Sequence, residues 1–120
     1  MIKTVSILGR KYKVQTDVPA HKDEDLKGRF GYCSLIDHHI VVADINTVSG
    51  WEDESELVKL LQKRATLRHE IIHAFLYESG LWGSSVSVES WATNEEMVDW
   101  FALQIPKMTE VFEQLDCMGE

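Results

Sequence analysis

The feature that most constrains the fold is a change in the spacing of apolar residues near Gly50. Before this glycine, short apolar-rich segments separated by polar turns predict strands. After it, apolar residues recur at steps of three and four, which is the spacing of an amphipathic helix. Strands followed by helices predict an α+β domain in which helices pack on one face of a small antiparallel sheet.

The strands are predicted to form two hairpins. The segments KTVSILG and KYKVQTDV flank a turn at Gly9-Arg10, and YCSLI and IVVAD flank an Asp-His-His turn. The run Ile40, Val41, Val42 is unbroken rather than alternating, so we expect the last strand to be covered on both faces.

Two long helices are predicted in the rest of the chain. The first runs from about Asp53 to Glu78, and Gly80 lies where a helix-ending glycine belongs. The second covers ATNEEMVDWFALQI, where Pro106 ends or kinks it, and KMTEVFEQLDCM predicts a short terminal amphipathic helix. The predicted apolar faces consist of Leu57, Leu60, Leu61, Leu67, Ile71, Ile72, Phe75 and Leu76 in the first helix, and of Met97, Val98, Phe101, Ala102 and Ile105 in the second.

Length and composition narrow the class of protein. The chain has 120 residues, and we expect residues 1–120 to form a single domain. The apolar fraction of 44% is ordinary for a globular protein. The net charge of −8 disfavours nucleic-acid binding, and no apolar run is long enough to span a membrane. The start lacks the pattern of a signal peptide, so Cys33 and Cys117 are expected to be free thiols in the cytoplasm.

The segment RHEIIH brings two histidines and a glutamate together. His69 and His73 are four residues apart, so they lie one turn apart on one face of the predicted helix. Two imidazoles placed in this way can bind one metal ion, and Glu70 can reach a water on that metal. About one sequence in fifty of this composition contains the triple by chance. The motif alone therefore does not exclude a helix with two surface histidines.

A catalytic zinc ion usually has three protein ligands, so a third is expected from another element. The candidates are Cys33, Cys117, His21, His38, His39, Glu95, Glu96 and Asp99. If Thr93 caps the second helix, Glu96 folds back onto its start, which leaves Glu95 free to point at the metal. Asp99, on the same face as Glu95, could then accept the far N–H of a ligand histidine. These acids would equally suit the positive end of a helix without any metal.

The two helical motifs together resemble the gluzincin branch of zinc metallopeptidases. The likeness is to ImmA/IrrE-type proteins and to small metallopeptidase-like proteins of tailed phages and prophages. In that branch His-Glu-x-x-His on one helix is followed on the next by Glu-x-x-Ala-Asp/Asn-x-Phe-Ala, often ending with Pro. Here LRHEIIHAFL and NEEMVDWFALQIP match it, with Val98 in place of Ala. The resemblance spans the first predicted helix to Pro106.

The resemblance implies a minimal zincin-like domain that binds one zinc ion through His69, His73 and Glu95. It implies that Glu70 is the general base and that Asp99 supports a ligand histidine. The implied activity is hydrolysis of a peptide bond in a peptide or protein substrate, by a cytoplasmic protein encoded by a phage or prophage. Enzymes of this kind bind a peptide beside an edge strand, for which the YCSLI–IVVAD hairpin is the candidate.

The sequence leaves open which residue stabilises an oxyanion and which of three functions the chain has. No residue is clearly the partner that steadies an oxyanion, and His38, His39, Tyr32 and Tyr77 are the candidates. Two other functions also fit the sequence: a non-catalytic, zinc-containing binding or adaptor protein, and an acidic interaction surface without metal. The larger relatives' regulatory roles are not implied, because the chain carries no recognisable DNA-binding or sensing module.

Overall fold

A computed structural model describes residues 1–84 and 95–119, without the side chains at positions 83, 84, 95, 98, 99 and 102. The strands are β1 (Ile2–Ile7), β2 (Arg10–Val18), β3 (Gly31–Ser34) and β4 (His39–Ala43). The helices are α1 (Glu56–Glu78), the single turn α2 (Leu81–Ser84) and α3 (Glu95–Gln114). Short 3₁₀ turns occupy Ala20–Lys22, Glu24–Leu26 and Ile45–Thr47. The predicted α+β class is confirmed.

The sheet is mixed, which corrects the prediction of an antiparallel sheet. Its strand order is β1-β2-β4-β3. Both predicted hairpins are present and antiparallel, but β2 pairs with β4 in parallel. The reason is the path of residues 19–30, which join the end of β2 to the start of β3 while leaving one strand position between them. β4 fills that position on the way back, so it must run in the direction of β2.

The β1–β2 turn lies one residue earlier than predicted. Ile7 pairs with Arg10, so the loop is Leu8-Gly9. Both loop residues have positive φ, 50° and 87°. Such backbones match the twist of a hairpin, and glycine accepts them without strain.

β4 is buried on both faces, as its unbroken apolar run predicts. Ile40 and Val42 belong to the main core, whereas Val41 and Ala43 pack with Leu26 on the other side of the sheet. The main core joins the sheet to both long helices and consists of Val5, Ile7, Tyr12, Val14, Ile40, Val42, Leu67, Ile71, Ala74, Phe75, Trp100, Met108, Val111, Leu115 and Cys117. The helices therefore pack on one face of the sheet, as predicted.

Only the second half of α1 contacts this core. Ser55 caps the start of the helix, where its side chain accepts a hydrogen bond from the Val58 amide, and Gly80 follows the end of the helix with φ of 83°. Leu57 and Leu60 are 65% and 41% exposed, so the predicted apolar face is wrong for the first turns. That part of the helix is instead fixed by buried Lys59, whose ammonium donates to Asn46 at 2.7 Å and to the Glu52 carbonyl at 3.0 Å.

α3 continues through Pro106 to Gln114, so of the two predicted effects of the proline, ending or kinking the helix, the first is wrong, and the predicted terminal helix is the second half of α3. Pro106 is exposed, and water can satisfy the carbonyl that the proline leaves without a donor. The buried residues on this helix include Trp100, Met108 and Val111, whereas Ile105 is 53% exposed. No described helix combines the length and the apolar content that a bilayer crossing requires.

Candidate metal centre

The phase of α1 on the core places the histidine–glutamate motif at one edge of the sheet. Leu67, Ile71 and Phe75 are buried on the core side of the helix. Glu70 lies between them and β3 and is only 7% exposed, while His69 and His73 reach solvent. The helix therefore presents two accessible imidazoles beside one sheltered carboxyl group.

The two imidazoles converge, as the four-residue spacing predicts. The Nε2 atoms of His69 and His73 are 3.1 Å apart, and their ring centroids are 4.7 Å apart. A carboxylate oxygen of Glu70 lies within 4.8 Å of both ligand nitrogens. In a tetrahedral zinc site with Zn–N bonds of about 2.0–2.1 Å, two nitrogens lie about 3.3 Å apart. The donor set and its spacing therefore fit a zinc ion.

The protonation of His73 also suits metal binding. Partial desolvation lowers its pKa although its ring reaches solvent, and the neighbouring charge of His69 lowers it further. A lower pKa keeps the imidazole neutral at pH 7, which is the form that binds a metal.

Glu70 is placed to exchange protons. Burial raises the pKa of its carboxyl group above the ordinary value, while the positive charges of His69 and Arg29 oppose that rise. A carboxylate whose pKa is raised is a better proton acceptor than one in water, and the two opposing charges favour its ionised form.

The edge strand β3 forms the opposite wall of the site. It pairs only with β4, so its outer edge is unpaired within the described part of the chain. A cleft of about 330 Å³ runs between this strand and α1, lined by Arg29, Gly31, Tyr32, Cys33, Leu35, His69, Glu70 and His73. A second cleft of about 280 Å³ continues past Phe30, Gln62 and Thr66. The motif thus opens onto a groove that follows an edge strand.

Gly31 brings the strand and the helix together. A Cβ atom at this position would lie 2.8 Å from Cγ2 of Thr66 and 2.7 Å from the carbonyl oxygen of Val41. Only a glycine permits so close an approach. It holds β3 against Thr66, which lies one helical turn before Glu70 on α1.

The predicted partners on α3 lie outside the described side chains. This applies to Glu95 and Asp99, while Thr93, the predicted cap, is outside the described residues altogether. Glu96 is exposed. The third metal ligand therefore stays a prediction.

Of the other predicted ligand candidates, Cys33 lines the cleft beside the motif, whereas Cys117, His38 and His39 have separate environments. Cys117 is fully buried in the main core, and His39 shares a 2.8 Å hydrogen bond with Gln15. His38 packs edge-on against Tyr12, away from His39. Among the described residues, only His69, Glu70 and His73 group closely enough to hold a metal.

All four candidates for steadying an oxyanion have other contacts, and one of them, Tyr32, also lines the cleft. His38 approaches Glu78 to 3.9 Å, and Tyr77 packs on Trp82. Tyr32 lines the cleft but donates its hydroxyl to Asp23 at 2.6 Å, and burial together with this bond raises its pKa. Its proton is therefore already engaged.

The structure adds Arg29 to the candidate functional residues that the sequence suggests. Its side chain lines the cleft, is exposed, and has a charge that acts on Glu70. Arg29 lies in a polar connection about forty residues before the motif, so neither periodicity nor spacing could identify it.

Comparison with known proteins gives no relative for this chain. No protein-family model, no curated protein and no solved structure matches it. The site therefore has to be interpreted from its own geometry.

Proposed function

We propose that this chain is a zinc-dependent hydrolase that cleaves a peptide bond. The observation that carries the proposal is the convergence of His69 and His73, with Nε2 atoms 3.1 Å apart, beside the sheltered carboxyl group of Glu70. Two neutral imidazoles can bind the ion, and the acid can move a proton next to it.

His69 and His73 hold the zinc ion, and Glu95 completes the ligand set in this proposal. A zinc ion held there would supply Lewis acidity, which would lower the pKa of a bound water to about 7. Asp99 supports one ligand imidazole by accepting its second ring N–H. The roles of Glu95 and Asp99 rest on the resemblance of their motif to that of gluzincins.

Glu70 is the general base. Its carboxylate accepts the proton that the water releases as the oxygen attacks the scissile carbonyl carbon. It then gives this proton to the leaving nitrogen as the C–N bond breaks, which regenerates the carboxylate. Arg29, on the other side of the cleft, favours the ionised form of Glu70 with which the cycle begins.

The edge of β3 that is unpaired in the described part of the chain binds the substrate as an added strand. Its backbone N–H and C=O groups can pair with an extended peptide, which would then run along the cleft past Glu70. This arrangement, with one helix carrying the motif and an edge strand opposite, supports a minimal zincin-like domain. The phage or prophage setting rests on the resemblance alone.

Metal content and cleavage together test the proposal. Protein purified without chelator or nickel resin is expected to hold at least about half an equivalent of zinc. Incubation with a proteome-derived peptide library should give new peptide ends. The Glu70→Gln variant should keep its zinc and lose at least about 100-fold of the cleavage rate, the scale of general-base catalysis.

A matched control is Glu56→Gln on the same helix, because the Glu56 side chain is 91% exposed and far from the motif in sequence. It should cleave like the wild type. Zinc without cleavage by the wild type would contradict the hydrolase and support the non-catalytic adaptor. Absence of zinc, with no stabilisation on adding it, would contradict both.

A further inference from the structure

A pocket larger than either cleft of the candidate metal centre lies next to them. We call it the aromatic pocket, with a volume of about 570 Å³ and a lining of Ala20, His21, Asp23, Glu24, Leu26, Lys27, Gly28, Arg29, Phe30, Thr47, Val48, Ser49 and Trp51. This volume is within the range of pockets that bind ligands in proteins.

The interior of the pocket is apolar. Leu26 is 1% exposed, and Val48 packs against the same cluster on the face of the sheet opposite α1. Phe30 and Trp51 are half-buried and meet edge to face, with centroids 5.2 Å apart. An apolar ligand group can therefore pack against the exposed parts of these two aromatic rings.

The charges of the pocket lie at its rim and have both signs. Glu24, Lys27 and Arg29 are exposed. Asp23 is already bound, with one oxygen accepting from the Asp25 amide and the other from the Tyr32 hydroxyl. The pocket therefore lacks the uniform charge that would select a phosphate or another anion.

The pocket is continuous with the catalytic cleft. Arg29 lines the pocket and the cleft at His73, and Phe30 lines the pocket and the cleft at Thr66. The carbonyl oxygen of Phe30 accepts a hydrogen bond from the Ala43 amide at 2.8 Å. The ladder of the sheet thus extends one residue before β3, up to the mouth of the pocket.

Side-chain alternation connects the pocket to a bound peptide. Along β3, Cys33 packs on the helix side of the sheet and Tyr32 on the opposite side. The side chains of a peptide paired with this edge would alternate in the same way. Every second side chain would face α1, and the others would point to the opposite face of the sheet, where the aromatic pocket lies.

We infer that the aromatic pocket is a specificity site that binds one large apolar side chain of the peptide substrate. The inference rests on the proposed hydrolase function and names its substrate class: extended peptides with Leu, Met, Phe or Trp at a fixed distance from the cleaved bond. Phe30 and Trp51 hold the side chain, and the rim charges remain in solvent.

Cleavage of a proteome-derived peptide library by the zinc-loaded protein tests the inference. A large apolar residue should be enriched at least tenfold at one position relative to the cleaved bond. Trp51→Ala should reduce the enrichment at least fivefold without loss of zinc. Because truncation of Trp51 could disturb folding, Ser49→Trp is a second variant that fills the pocket from an exposed position.

Leu57→Ala serves as the control, because it truncates an exposed apolar side chain that lines no described cleft. Its cleavage preference should equal that of the wild type. An unchanged preference in both Trp51→Ala and Ser49→Trp would overturn the inference.

A binding measurement separates this inference from the hydrolase proposal. Blocked pentapeptides of alanine, with leucine or aspartate at the centre, are added to Glu70→Gln protein, and the indole N–H resonance of Trp51 is followed by NMR. A shift with the leucine peptide alone supports the pocket even if the wild type cleaves nothing. Equal responses to both peptides, or none, would overturn the inference whatever the outcome of the cleavage assay.

Discussion

Replacing Gly31 by alanine is expected to force the edge strand away from the helix that carries the metal motif. The added methyl group would lie 2.8 Å from Cγ2 of Thr66 and 2.7 Å from the carbonyl oxygen of Val41. Carbon atoms in contact prefer about 3.5–4.0 Å, so the strand has to move by several tenths of an ångström. Overpacking of this kind costs about 1–3 kcal/mol.

The two contacts can be separated by a double-mutant cycle. Thr66→Ser removes Cγ2 but keeps the hydroxyl that donates to the Gln62 carbonyl at 2.9 Å. In the background of Gly31→Ala it should relieve one of the two clashes. We expect the double variant to be more stable than the sum of the single effects by about 0.5 kcal/mol or more. The contact with Val41 remains, so stability should not return fully.

Urea unfolding of the four proteins, followed by tryptophan fluorescence, measures these effects. The same displacement of β3 would widen the cleft beside Glu70, so zinc-dependent stabilisation is measured in parallel. A Gly31→Ala protein as stable as the wild type would refute the close approach of strand and helix. Strict additivity of the two substitutions would show that Thr66 is not the neighbour that resists the methyl group.

Three further predictions concern Lys59, Tyr12 and Cys33, to which the proposed mechanism gives no role. Lys59→Met should lower the free energy of unfolding, measured with urea, by about 1–3 kcal/mol. Lys59 is 7% exposed, and its ammonium donates to Asn46 at 2.7 Å and to the Glu52 carbonyl at 3.0 Å. The substitution would leave both acceptors without this donor. Tyr12→Phe should cost about 1.5–3 kcal/mol, because the buried hydroxyl donates to a Glu78 carboxylate at 2.6 Å, and an unchanged unfolding midpoint would contradict that bond. Cys33 should react with iodoacetamide at least about tenfold more slowly at pH 8 than an ordinary thiol, because burial, with Glu70 and Glu78 nearby, raises its pKa from 9.0 to about 12, and mass spectrometry of the alkylated peptide measures the rate.

The sign of the associated pH effect follows from the same shift. The unfolded chain loses the Cys33 proton above about pH 9, whereas the folded chain keeps it until its raised pKa is reached. Stability from this group is therefore complete below pH 9 and decreases as pH rises beyond it. Urea midpoints that rise between pH 9 and pH 10.5 in a Cys117→Ala background would contradict the direction.

The strands and the long helix could be predicted because each has a strong local pattern. Ile40–Val42 and the 3.6-residue repeat of α1 depend on nearby residues alone. The parallel pairing of β2 with β4 could not, since it is set by the route of residues 19–30, for which the sequence has no periodic signal. The continuation of α3 through Pro106 could not be predicted for a related reason. The effect of a proline on a helix depends on its exposure, which only the tertiary structure decides.

Only part of the candidate metal centre could be predicted from the sequence, for the same reason. The convergence of His69 and His73 follows from helical spacing, and the structure agrees with it. The shelter of Glu70 and the position of Arg29 come from β3 and the connection before it, which are distant in sequence. A motif can therefore predict which side chains meet on one helix, but the wall opposite them depends on how the sheet is assembled.

The parallel ladder between β2 and β4 has a consequence for how the chain folds. Each hairpin closes over a short loop, so both can form early and independently. Joining the two hairpins requires closure of the loop of residues 19–38. This step loses more conformational entropy than closing either hairpin, because the loop is longer. The cleft exists only after that step, because β3 is carried to its place beside α1 by β4. We therefore expect docking of the two hairpins to limit the folding rate, and zinc affinity to develop at its end.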